Sequence, residues 1–422
     1  MEAIDKEISN ELNWKLQGEF VLNSDLRAQA LQSFQNTAFP TTRNEAWKYT
    51  RVSKIKNAHF NIQEQTIDLN GDFSIVPNSL QVVFVNGHYS QNLSSKSFPE
   101  GLKVEALSKM DPRELATFGN EISTENEVFI ALNTAYATDG VYIHVTAKMQ
   151  IEPTLEIIQI NTNQNILSNV RNILVVEQFA EINLVHRSIS VAGTNNFSNT
   201  INEITVGANA TVNIDKIQEE DETCFQINTE YVHQEKDSNF TINTITLNGG
   251  LIRNNLNIHV NGVNCETHLN GAYILKGNQH VDNHTVVDHK VSHCESNELY
   301  KGVIDDKATA VFNGKVFVRK DAQKINAYQS NANVLLSVNA SVNSKPELEI
   351  YADDVKCSHG STTGQLNEEA IFYLRARGLS ESSARQLLVG AFIEEVLQKI
   401  ENKNVVEYIH LAIKDRFNWV LE

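Results

Sequence analysis

From about residue 80 to about residue 350 the chain alternates apolar and polar residues with period two. Stretches such as TINEITVGANATVNIDKI, NFTINTITLNGGLIRNNLNIHVNG and ATAVFNGKVFVRKDAQKINAYQSNANVLLS are rich in Val, Ile and Thr, with Asn or Gly at the breaks. QVVFVNGHYS opens the run as a strand and a turn. Successive side chains of a strand point to opposite faces, so this alternation encodes strands. An antiparallel sandwich gives the same local signal. Two features favour a solenoid. The pattern continues for more than two hundred residues without a domain break, and Asn recurs at turns, where it tolerates left-handed backbone. The expected core is a parallel β-helix with rungs about 4.8 Å apart. Its ends expose unpaired strand edges and need caps or partners. The repeat is too irregular to fix the rung length.

Helices are expected on both sides of this core. In SDLRAQALQSFQNTAF, Leu26, Ala30, Leu31 and Phe34 recur at helical spacing, with Ser24 placed to cap and Pro40 to stop the helix. TTRNEAWKYTRV carries Trp47 and Tyr49 beside basic residues. With a net charge of −17, these aromatics read as core anchors of a small helical domain rather than as a nucleic-acid stacking platform. After Gly364, the chain puts Leu366, Ala370, Ile371 and Leu374 on one helical face and breaks at Gly378. Ser380 caps the next helix, whose apolar face carries Ala384, Leu387, Leu388, Ala391, Phe392 and Val396. VVEYIHLAIKDRFNWV continues the pattern. The predicted class is mainly β with flanking α. The predicted domains are an N-terminal helical domain over 1–75, a parallel β-helix core over 76–355 and a C-terminal helical domain over 356–420.

The acidic balance argues against non-specific binding to nucleic acid or an anionic membrane. No run of eighteen apolar residues exists, and MEAIDKEISNELNWKL lacks the apolar core of a secretion signal, so a cytoplasmic location is expected. Four cysteines (Cys224, Cys265, Cys294 and Cys357) without a CxxC pair give no disulfide framework. There is no GxxxxGK[ST] loop and no dinucleotide fingerprint, and FNGKV at Phe312 reads as a strand with a turn.

Two clusters carry chemistry. Six of the thirteen histidines fall between His259 and His293, and the dense part, HVDNHTVVDHKVSHC, runs from His280 to Cys294. On a strand, His280, Asp282 and His284 share one face, and His289 and His293 the other. As a metal or interface site this set (His280, His284, His289, His293 and Cys294) converges only if a turn or bulge intervenes. Cys357 and His359, in DDVKCSHGSTTGQ, project to the same side of a strand. They fit a buried cysteine beside a hydrogen-bonded histidine, a metal-ligand pair, a nucleophile–base pair or one half of a site that another chain completes. Two ligands rarely hold a metal unaided. Asp353 and Asp354 supply only a loose orienting group. Because β-helices host such activities, a polysaccharide hydrolase or lyase is the enzymatic alternative.

Three stretches resemble the SufB/SufD family of iron–sulfur cluster assembly scaffolds: YADDVKCSHGSTTGQLNEEAIFYLRARGL (Tyr351 to Leu379), HVDNHTVVDHKVSHCESNELYKGVI (His280 to Ile304) and TRNEAWKYT (Thr42 to Thr50). The first is long and specific, and it is similar to the SufD branch. Where the SufB branch carries a cysteine, KINAYQSNANVLLS (Lys324 to Ser337) has none. The resemblance implies a right-handed parallel β-helix between helical domains and a non-catalytic scaffold role in SUF cluster assembly and iron acquisition. It implies pairing with SufB through the β-helix end, or a homodimer when isolated. It implies binding of the ATPase SufC, where ATP hydrolysis resides, through the C-terminal helices. His359, with Cys357 nearby, is implied at the cluster-assembly interface. No cofactor is expected to be tightly bound by the isolated chain. The cluster, and FAD in the family's complexes, belong to the assembly.

Overall fold

The computed structural model describes residues 12, 14–62, 69, 71–116, 118–119 and 122–417. Residues 1–11, 13, 63–68 and 70 of the expected N-terminal domain and 418–420 of the C-terminal one lie outside them. Among the described residues, two sheets of ten and nine strands form a flattened solenoid. From Val141–Val145 onward consecutive strands alternate between the sheets, so a rung takes one strand from each. Pairing is parallel except at the start, where Leu80–Val85 meets His88–Tyr89 and Leu102–Ala106 meets Val141–Val145 antiparallel. The rung length varies from the step Phe225 to Leu251 to the longer step Thr309 to Ser341. That variation hides the repeat in the sequence.

Rungs are locked at a column of left-handed turn residues: Lys148, Phe179, Asn209, Asp237, Asn264, His293 and Lys324, with φ between 57° and 66°. Asparagine is therefore common there but not required. Each turn is also held by its neighbour, as where Asn209 N–H donates to Lys236 O (2.9 Å) and His293 N–H to Gln323 O (3.0 Å). Stacking of turns offsets the cost of a left-handed non-glycine residue.

Interior positions are chosen for volume. Gly271 pairs in register with Tyr300, and Tyr273 with Gly302, so two tyrosines cross over two glycines in adjacent rungs. A Cβ at Gly271 would run into the Tyr300 ring. Gly271→Ala is expected to cost about 1–3 kcal/mol through overpacking, read as a lowered urea midpoint. An unchanged midpoint would show that Tyr300 moves aside freely.

Helical layers cover the two outer faces. On the nine-stranded sheet, Trp14, Ala30, Leu31, Phe34, Trp47 and Phe60 pack with Phe129, Leu132 and Tyr136 over Phe197, Phe225 and Leu251. The helix Val128–Tyr136 falls inside the stretch read as strands. All but one of its residues are buried, so it shows no amphipathic period to detect. Helix Ser24–Asn36 buries the expected Ala30, Leu31 and Phe34, but Asn23, not Ser24, caps it, and it ends before Pro40. FNGKV lies inside the continuous strand Thr309–Val318 and makes no turn.

On the ten-stranded sheet, helices Glu381–Leu397 and Lys403–Phe417 pack over Val185, Ile217, Ile245, Ala272 and Val303. Ser380 caps the first of these, its Oγ accepting from Ser383 N–H at 3.0 Å. The buried face is Ala384, Val389, Ile393, Val396 and Leu397, whereas Leu387 is 43% exposed. Strand Val355–Gly364 continues the solenoid past residue 355, because its residues pair one by one with Ile325–Val334, and the helices begin at Glu368.

Candidate functional site

The solenoid ends on strands Ser341–Ile350 and Val355–Gly364. The second pairs along one edge with the preceding rung, and among the described residues no strand lies on its other edge. In register, Cys357 follows Ala327, His359 follows Gln329 and Ser361 follows Asn331. Ala327 belongs to the interior core, and Cys357 packs partly against that core. Cys357, His359 and Ser361 therefore sit on the inward face of a rung that no further rung covers. This is why His359 is exposed and Cys357 is half-buried. Burial pushes the Cys357 thiol up from its ordinary value, so it is a protonated thiol at neutral pH.

Beneath this rung the interior turns polar. Ser361 Oγ donates to Ser344 Oγ across the two sheets (2.7 Å), and Ser344 Oγ donates to Asn331 Oδ1 (2.8 Å). Asn331 Nδ2 donates to Tyr273 Oη (3.0 Å), which donates to Asn333 Oδ1 (2.6 Å). Gln329 Nε2 donates to Glu298 Oε2 at 2.6 Å. Earlier rungs place Ile242 and Leu269 in this column instead. Gln329 and Glu298 had no signature of their own in the sequence. Only the spacing 298, 329, 359, one rung per step, would have revealed them.

The histidine block is divided between faces and does not converge. His280 and His284 point outward with Asp282 into the N-terminal layer. His284 Nε2 lies 3.0 Å from Asp282 Oδ1, and Thr50 Oγ1 lies 2.9 Å from His280 Nε2 while donating to Asp282 Oδ2 at 2.5 Å. Arg253 Nη1 donates to Asp282 Oδ2 (2.8 Å) and to Ala46 O (2.7 Å), and its guanidinium lies 3.8 Å from the centre of the Trp47 ring. Trp47 is thus a buried anchor, and TRNEAWKYT docks on the histidine strand. His289 faces inward, 2.9 Å from Ser296 Oγ, and burial pulls its pKa down to about 4. His293 is not on the strand but at a left-handed turn. Cys294 is buried beside Cys265, and both thiols donate to Gly262 O, at 3.3 and 3.0 Å. Among the described residues no group of three or more His, Cys, Asp or Glu is placed to hold a metal ion. Among them, too, no helix is long and apolar enough to cross a membrane.

A parallel solenoid flanked by helical layers, with a strand edge left unpaired at one end among the described residues, defines a class of β-helical protein. Family comparison gives that class its identity. Residues 158–392 match the model described as the SUF system FeS cluster assembly, SufBD core domain, and residues 15–160 match the SufBD protein N-terminal region. The chain belongs to the SufBD family of iron–sulfur cluster assembly proteins. It is 33% identical over 380 residues to an iron–sulfur cluster assembly SufBD family protein of Synechocystis, covering 86% of this chain and 84% of that one. It is 29% identical over 403 residues to the iron–sulfur cluster assembly protein SufD of Escherichia coli, covering 92% of each.

Proposed function

We propose that the chain is a non-catalytic scaffold subunit that contributes His359, with Cys357 alongside, to a cluster-assembly site completed by a SufB-type partner at the open solenoid end. The observation that carries this is the uncovered terminal rung, where an inward-face imidazole and thiol await a second surface. The partner supplies the missing ligands, since two do not hold a metal. A second copy of this chain occupies the same edge when the partner is absent. The ATPase SufC docks on the C-terminal helices, which expose Phe372, Tyr373 and Leu387 at 74%, 57% and 43%, and ATP hydrolysis belongs to SufC. The site of action is the cytoplasm. The cluster is cargo, and FAD belongs to the assembled complex.

His359→Ala is expected to leave the circular dichroism and melting of the chain unchanged and to lower cluster yield roughly tenfold in the reconstituted three-component complex. Iron and sulfide analysis after anaerobic reconstitution reads this. An unchanged yield would remove the composite site.

A further inference from the structure

The column His359, Gln329, Glu298 occupies the same inward position of three successive rungs. Gln329 and Glu298 are only 3% and 4% exposed. The Glu298 carboxyl accepts from Gln329 Nε2 at 2.6 Å, which fixes the amide. Glu298 Oε2 takes the NH2 end, with any acid proton on Glu298 Oε1, which has no partner among the described residues, so Gln329 Oε1 is left as the acceptor. Among the described residues Gln329 Oε1 has no hydrogen-bond partner, although it is buried. A buried acceptor left unfilled costs about 1–3 kcal/mol. Thr285 lies beside Glu298 below the amide, and two polar groups nearer the open end are committed elsewhere. Ser361 donates to Ser344, and Asn331 is engaged by Ser344, Tyr273 and Asn333. The group one rung above, at the register position of Gln329, is the imidazole of His359, which has no side-chain partner among the described residues.

We infer that Gln329 is a positioning residue for His359: one rotation of the exposed ring brings a ring N–H onto Gln329 Oε1, with Glu298 holding the amide from below. The remaining ring nitrogen then presents its lone pair out of the solenoid end. An imidazole ligand is commonly oriented by a carbonyl acceptor on its other nitrogen. Gly314 leaves room for this column on the opposite sheet, where a Cβ would meet Gln329 Nε2 at 3.0 Å. The relevance to cluster assembly rests on the proposed role of His359, but the hydrogen bond does not.

Two experiments separate these. In the full-length chain labelled with 15N-histidine, the His359 signal, identified by its loss in His359→Ala, is expected to report one dominant neutral tautomer. Gln329→Leu should return it to the mixture of an exposed imidazole. The reciprocal double variant Glu298→Gln/Gln329→Glu keeps a donor below and an acceptor above, and should restore the single tautomer. A wild-type mixture, or a tautomer indifferent to Gln329→Leu, would overturn the inference whatever His359 does. In the reconstituted complex, Gln329→Leu is expected to lower cluster yield about tenfold in wild type and not at all in the His359→Ala background. A loss at His359 without one at Gln329 refutes positioning and leaves the composite site. No loss at either refutes the composite site, and the tautomer measurement still decides the hydrogen bond.

Discussion

Arg253→Leu is expected to cost about 3–5 kcal/mol of folding free energy and to loosen the N-terminal layer from the solenoid. Arg253 and Asp282 are both buried, with side-chain exposures of 4% and 1%. Removing one partner leaves the other charge without compensation, which is far costlier than removing both. Arg253 is also the hub that joins the Ala46 carbonyl and the Trp47 ring to the sheet. Urea unfolding should therefore show a lower midpoint, and limited proteolysis should cut first between residues 36 and 60. Burial alone would raise the Asp282 carboxyl, but the charge of Arg253, with His284 and Thr50, outweighs it and holds the group well below the usual range. A depressed carboxyl contributes stability above its ordinary pKa and loses it as pH falls through the native value. The deficit of Arg253→Leu should therefore be full at pH 7 and shrink in acid, where Asp282 is neutral. The double variant Arg253→Leu/Asp282→Leu should recover much of the loss. A single variant as stable as wild type would show that solvent reaches Asp282.

The periodicity of the sequence carried the solenoid because a strand with one buried face must alternate, and the Val, Ile and Thr content agrees with it. It missed Val128–Tyr136 because a helix buried all round has no polar stripe. The buried face of Glu381–Leu397 was read in part: Ala384 and Val396 are inside as expected, but Val389 and Ile393 are inside too, and Leu387 faces outward. Helical spacing alone does not say which face meets the sheet. Cys357 and His359 were legible as residues on one side of a strand. Their exposure was not, because it follows from the solenoid stopping at their own rung. The histidine block looked like a ligand set only in one dimension. In three, His280 and His284 tie the N-terminal layer down, and His289 fills the interior. Contacts such as Thr50 with Asp282 join residues 232 apart, and nothing local in the chain announces them.

Replacing the buried carboxyls Glu220 and Glu298 by glutamine should change the shape of the stability–pH curve. Burial pushes both up from 4.5 to about 7. Between those values the folded chain keeps a proton that the unfolded chain has released, so stability falls as pH rises through this window and levels above it. From 4.5 to about 7 the penalty reaches roughly 3 kcal/mol per carboxyl. Two histidines act in the opposite direction. Burial holds His186 at about 3 and His289 at about 4, against 6.5 unfolded. Each therefore lowers stability as pH falls below 6.5, where only the unfolded chain takes up the proton. Between about 4.5 and 6.5 the two slopes oppose each other, with Asp215, which burial raises to about 6, adding to the carboxyl side, so the wild-type curve is expected to change less than either set alone would make it. Glu220→Gln/Glu298→Gln should be more stable than wild type at pH 8 by several kcal/mol and equal to it near pH 4.5. Its curve should now fall on the acid side, because Asp215 alone does not balance the two histidines. Urea midpoints at pH 4.5, 6 and 8 test this. A constant offset between wild type and variant across those values would mean that neither carboxyl binds a proton in the folded chain, so that the interior holds one charge at Glu298 below His359 and another at Glu220 beside Asn161 and Ser198.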